Sequence, residues 1–144
     1  MPLNLIKLCV GVDDIGQLAR SQKRRLAEAR KAGVPAELKH VTRHRPKRAD
    51  ELLDGGSLYW VIRGVVRVRQ RLVELRKLED PDRGTVCALM LHPELVTTYP
   101  RRFRAFQGWR YFPGEDAPAD APPGWDSDGL PPELETELRE LGLL

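Results

Sequence analysis

The densest run of chemically capable side chains is His40-Val41-Thr42-Arg43-His44-Arg45-Pro46-Lys47-Arg48. Arginine offers a planar donor fork that matches phosphate, and lysine adds a point charge. Such a segment suits a grip on a nucleic-acid backbone. The competing account is internal, with Arg43, Arg45 and Arg48 pairing with Asp50, Glu51 and Asp54 just downstream. Six cationic or imidazole groups outnumber those three acids, and the balance favours an external anion. A second basic row is Arg67, Arg69 and Arg71. On a strand these share one face at roughly 6.6 Å spacing, near the phosphate repeat of an extended single strand; on a helix they scatter. The third cluster is Arg101, Arg102, Phe103, Arg104, Phe106, Trp109, Arg110 and Tyr111. Cations interleaved with aromatic rings are what a single-strand platform needs, although burial preferences place at least two of Phe106, Trp109 and Tyr111 in the core.

Enzyme signatures are sparse. The chain holds no G-x-S-x-G, Walker loop, G-x-G-x-x-G, H-E-x-x-H or C-x-x-C. His40 and His44 have a metal-ligand spacing only on a helix; on a strand they stand roughly 13 Å apart, too far to share one ion. Cys9 and Cys87 sit in apolar, strand-like runs without a neighbouring His or helix start to activate them, so neither a disulfide framework nor a metal site is expected, and no cofactor. A small hydrolase or nucleotide-processing enzyme would draw on Lys47, Asp50, Glu51 and Thr42, a lysine–carboxylate group able to do acid/base work. That set names no nucleophile.

These residues need elements to carry them. Leu3 to Val10 reads as a strand. Asp14 as N-cap with Gln17 three residues on starts a helix that runs to about Lys31 and stops at Gly33. Its face of Ile15, Leu18, Ala19, Gln22, Leu26 and Ala29 turns inward, and its cations outward. Lys39 to His44 is a second strand, Lys47 to Leu53 a short helix closed by Gly55-Gly56, and Ser57 to Ile62 a strand apolar on both faces. Residues 65–78 fit a helical seam and a strand; the early valines and the turn at 80–84, followed by a returning strand from Thr85 to Leu91, favour the strand. His92 to Arg104 is loop-like, and Phe106 to Phe112 closes the sheet. From Pro113 the composition shifts to a Pro/Asp-rich linker with an isolated Trp125. Glu133 to Leu141, after Pro132, forms a short helix with a leucine stripe that must dock on the body or on a protein partner.

The 144 residues therefore divide into a basic globular domain (1–112), an acidic linker (113–131) and a C-terminal amphipathic helix (132–144). Residues 1–112 hold 23 basic and 12 acidic residues, a net of +11, whereas residues 113–144 hold one basic and nine acidic residues, a net of −8. A basic body with an acidic tail points to a polyanion whose binding the tail tempers. No apolar run approaches the ~20 residues of a spanning helix, and the N-terminal apolar stretch is too soon interrupted by charge for a secretory signal. A cytoplasmic protein is expected.

At R-A-D-E-L-L-D-G-G-S-L-Y-W-V-I-R-G (48–64), with V-R-Q-R after it and F-Q-G-W-R-Y at 106–111, nearly the whole chain resembles a small bacterial family of unknown function. A looser likeness is to PUA-like modules such as the ASCH and EVE domains, which place an acidic/Gly turn and an aromatic strand (Asp54 to Trp60 here) before a long strand. This second likeness implies a nucleic-acid or modified-base binder. The fold expected is α+β: a small, mostly antiparallel, barrel-like sheet with one long N-terminal and one short C-terminal helix. The function expected is nucleic-acid binding, RNA over duplex DNA. Phosphates would meet Arg43, Arg45, Lys47, Arg48, Arg67 and Arg69, and a base would stack on Tyr59, Trp60 or Trp109. A hydrolase or a protein-interaction adaptor are the alternatives.

Overall fold

Aspartate 14 opens the first helix as an N-cap, its carboxylate accepting from the Gln17 amide at 2.7 Å while the Gln17 side chain accepts from the Asp13 amide at 2.8 Å. The first bond satisfies one of the donors a helix start leaves free, and the second ties the residue before the cap back to the first turn. In this computed structural model, which describes residues 1–122, the helix α1 spans Ile15–Lys31 and follows strand β1, Leu3–Leu8. After it come β2 (Leu38–Thr42), the short α2 (Ala49–Leu53), β3 (Ser57–Ile62), β4 (Val65–Asp80), β5 (Gly84–Leu91), β6 (Val96–Arg102) and β7 (Trp109–Pro113). The result is a mostly-strand α+β fold. Arg63 and Gly64 both take positive φ, 52° and 78°, which makes the tight β3–β4 hairpin turn. Gly56 is held for space: a Cβ there would lie 2.2 Å from the Leu3 carbonyl oxygen and 2.3 Å from that of Leu52.

Residues 65–80 are one long strand, as the valines and the following turn suggest. The sheet runs β2-β5-β4-β3-β1-β7, with β6 continuing along the β5 side of β4. All pairings are antiparallel except β1 with β3, whose connection passes through α1, β2 and α2. The sheet is not closed into a barrel. Its end strands β2 and β7 do not pair; side chains span the gap instead, with the Trp109 indole donating to the His44 carbonyl at 3.2 Å and the Arg48 amide donating to the Tyr111 hydroxyl at 3.0 Å.

The segment expected as a loop from His92 to Arg104 contains β6. Pro93 and Pro100 suggest irregular chain, but Pro100 falls in the stretch between Thr97 and Arg101 where the β4 register slips. A missing amide costs no ladder bond there. The chain past Pro113 stays on the body as far as residue 122: the amide of Tyr99 donates to Ala119 and that of Ala121 to Thr97, both at 2.9 Å. The remaining linker, Trp125 and the C-terminal helix lie outside the described residues. Among the described residues no helix is long and apolar enough to cross a membrane.

The sheet buries both faces. One packs Leu5, Leu58, Trp60, Ile62, Val68, Leu72 and Leu89 beneath α1 and β2; the other gathers Ile6, Tyr59, Val61, Val66, Phe106 and Phe112. Inside the first face lies a buried amide network. Gln22 of α1 and Gln70 of β4 exchange two 2.8 Å hydrogen bonds, and Gln70 also accepts from the Trp60 indole at 2.9 Å and donates to the His92 carbonyl at 3.1 Å. Every hydrogen-bonding position of the Gln70 amide is thereby filled, whereas Gln22 keeps one N–H and one lone pair beyond these bonds.

Candidate nucleic-acid interface

The pleat decides which side chains reach the α1 side of the sheet. On β1, alternation places Leu3, Leu5 and Lys7 on the α1 side, and Cys9 just past the strand packs there too. Lys7 pairs in register with Trp60 on one neighbour and Trp109 on the other, so an ammonium sits in a row between two indoles. From β2, His40 meets Trp60 edge-on, ring centroids 5.2 Å apart. These strands and α1 enclose a cavity of about 140 Å³, walled by Trp60, His40, Leu18 and Leu91, with Gln22, Ser21, Arg25 and Lys39 around it. Among the described residues no carboxylate lines it.

The electrostatics of this pocket are one-sided. Burial, then the nearby Lys7 and Arg25, lowers the His40 pKa to about 4, so the imidazole is neutral at pH 7. Burial raises the Cys9 thiol to about 11 against the pull of the same two cations, which leaves it protonated and unreactive. The His40 Nε2 atom is buried and has no hydrogen-bond partner. A buried polar atom left so costs about 1–3 kcal/mol, and the cost is recovered by whatever group pairs with it.

Beyond β2 the chain turns outward. Arg43, Arg45 and Lys47 are exposed and make no ion pair among the described residues. Arg48 follows the internal account: it forms a bidentate pair with Glu51, one arm at 2.8 Å, and its guanidinium lies 5.4 Å from the Tyr111 ring centroid. The pairing holds the Glu51 carboxylate below its ordinary range. Of the residues an enzyme would use, Thr42 is buried and spends its hydroxyl on the His44 carbonyl at 3.1 Å, Glu51 is engaged by Arg48, and Lys47 and Asp50 are exposed. The four do not converge.

The β4 row is placed differently. Arg67 is half-buried at a bulge, and Arg69 is clamped by Asp120 through two 2.7 Å bonds and by the Ser57 hydroxyl at 3.0 Å. Tyr59 and Trp60 are buried, Trp60 at 4% exposure, so a base reaches Trp60 only through the cavity. Trp109 is half-buried, its ring edge-on to Tyr111 at 5.1 Å. In the third cluster the cations stack on the rings from within the protein: Arg110 lies 4.6 Å from the Phe106 centroid, and Arg101 reaches Phe103 and Phe112 at 5.6 and 5.5 Å. Those rings serve the core and its cations. Lys7, Arg25, Lys39, Gln22 and Gln70 lie outside the basic and aromatic clusters that draw the eye in the sequence. Only the two glutamines carried a signal, each standing inside an apolar stripe, one on α1 and one on β4.

No curated protein and no solved structure matches the chain. One family model covers nearly all of it, residues 5–144, in agreement with the resemblance to a family of unknown function: the chain belongs to DUF1489, a family of proteins of unknown function.

Proposed function

We propose that this protein binds single-stranded nucleic acid, RNA in preference to duplex DNA, on the α1 side of the sheet, beside the gap between β2 and β7. One observation carries the reading: a cavity walled by Trp60 and His40, whose lining holds no carboxylate among the described residues, opens near Lys7, Arg25 and Lys39, and the exposed Arg43, Arg45 and Lys47 continue this positive field beyond β2. The backbone runs past Arg43, Arg45 and Lys47, Trp109 offers a half-buried ring beside it, and duplex DNA is disfavoured because paired bases cannot turn into the sheet. Arg48 and Arg69 contribute less, each being tied to its own carboxylate. The acidic segment acts as a mask, and Asp120 on Arg69 is its nearest visible contact.

Fluorescence anisotropy of labelled single-stranded RNA, single-stranded DNA and duplex DNA at two salt concentrations tests this. With ~4–6 phosphates contacted, log affinity for single strands falls with log salt at a slope near −3 to −4. Absence of binding at low salt, both with the full chain and with residues 123–144 removed, overturns the reading.

A further inference from the structure

We infer that the cavity between β1, α1, β2 and β3 receives one unpaired pyrimidine base of the bound strand. This rests on the nucleic-acid reading above and assigns the cavity a ligand within it. Size comes first: a cavity of about 150 Å³ accommodates one benzene-sized ring, and this one measures about 140 Å³. A single six-membered heterocycle fits it with the room benzene has in such a void; the larger fused rings of a purine fit it less well.

Chemistry comes second. The walls offer flat and aliphatic surface from Trp60, His40, Leu18 and Leu91. The polar groups left unspent are few and specific: the buried His40 Nε2, and on Gln22 one N–H and one lone pair. A pyrimidine base carries donors and acceptors around its ring edge that pair with such groups, and an extruded base is read in this way, by edge hydrogen bonds between apolar walls. Because His40 stays neutral at pH 7, its ring pairs with a neutral base. Charge comes third. Arg25 and Lys39 line the cavity and Lys7 stands close to His40, cations for the sugar-phosphate of that nucleotide, and among the described residues the lining has no carboxylate to repel it.

The test uses the full chain and four probes: hexauridylate, hexaadenylate, a hexamer of abasic ribose phosphate with the same phosphates, and uridine monophosphate. Hexauridylate is expected to bind about tenfold more tightly than either other hexamer and more tightly still than the mononucleotide. His40→Phe keeps a ring against Trp60 and removes the unpartnered nitrogen. It should hold or raise the melting temperature while bringing hexauridylate down to the abasic level. Ser21→Trp, which fills the cavity from α1, should do the same to binding and serves if His40→Phe does not fold. Equal binding of hexauridylate and the abasic hexamer overturns the inference and leaves the nucleic-acid reading standing. Hexaadenylate matching hexauridylate overturns the pyrimidine assignment. Uridine monophosphate matching it makes the cavity a free-nucleotide site, and binding by none of the hexamers removes both readings.

Discussion

Two stretches of this chain look alike as sequence, Arg43 to Arg48 and Arg67 to Arg71, and the fold treats them in opposite ways. On β4 Arg69 and Gln70 are turned to internal use, while Arg71 stays exposed. Arg69 is held by Asp120 and Ser57, and Gln70, one residue on and fully buried, ties α1 and β3 to the strand. In the loop after β2, Arg43, Arg45 and Lys47 stay exposed and have no acidic partner among the described residues. The difference follows from neighbours. A strand with β3 on one edge and β5 and β6 along the other has partners within reach on both sides, whereas a loop at the gap between sheet ends has few. Equal charge density therefore does not mean equal availability. β4 serves stability, and the β2 loop is left to serve binding.

The largest effect expected from breaking this contrast is on the stability side. Gln70→Ala removes an amide with four partner groups and leaves Trp60 Nε1–H and Gln22 unpaired in a closed interior. Chemical denaturation should show a loss of about 2–4 kcal/mol. A loss below ~1 kcal/mol would mean that β4 is not the brace described here. Next comes the loop. Neutralising Arg43, Arg45 and Lys47 together should weaken single-strand RNA binding about 10- to 100-fold at low salt and flatten the salt slope by ~2, three phosphate contacts being lost. Its melting curve should match that of the parent, since these side chains hold nothing. A parallel drop in stability would erase the distinction between the two regions.

How much of this was legible beforehand depended on whether a signal was local. The α1 cap, the Arg63-Gly64 turn and the unbroken β4 are set by neighbours in sequence: Asp14 with Gln17, a glycine able to take positive φ, valines before a Pro-Asp-Arg-Gly turn. The inward alternation of Val68, Gln70 and Leu72 was legible for the same reason, but the bulge at Arg67 was not, and it turns Val66 to the opposite face with Tyr59 and Val61. β6 was not, because Pro100 reads as a breaker until the β4 register slip beside it is known. Sheet closure was not legible either, since it turns on whether β2 and β7 meet, two strands about 70 residues apart. The site divides similarly. The basic loop could be picked out as a run, but the pocket is assembled from β1, α1, β2 and β3, and single residues such as Lys7 or Lys39 carry no mark of sharing it.

The pH response of β2 gives a smaller effect. His40 has its pKa lowered from 6.5 to about 4 in the folded chain, so between those values the unfolded chain binds more protons. Stability contributed by the neutral imidazole is complete above pH 6.5 and is lost as pH falls toward 4. After allowance for partial solvent access this amounts to about 1–2 kcal/mol. His40→Phe should remove that share of the acid sensitivity, read as the difference between the two proteins' unfolding free energies at pH 7 and pH 4.5. Identical pH profiles would show that the ring is solvated.

Asp120→Asn gives the smallest effect and bears most directly on the comparison. The Arg69 pair is partly exposed, at 25% and 46% for the two side chains, and such pairs contribute at most about 1 kcal/mol. Stability should fall by no more than that, because the backbone bonds of Ala119 and Ala121 still hold the segment on β6. Binding should move the other way. Releasing Arg69 adds one cation with an anion-seeking fork and removes one repelling charge, so single-strand RNA affinity should rise about two- to fivefold at low salt and by less at high salt. If affinity stays level, β4 remains a structural strand even when its own carboxylate lets go, and the mask on this face is not Asp120. If it rises, Arg69 differs from Arg43, Arg45 and Lys47 only in that it already has an anion, supplied by the chain itself.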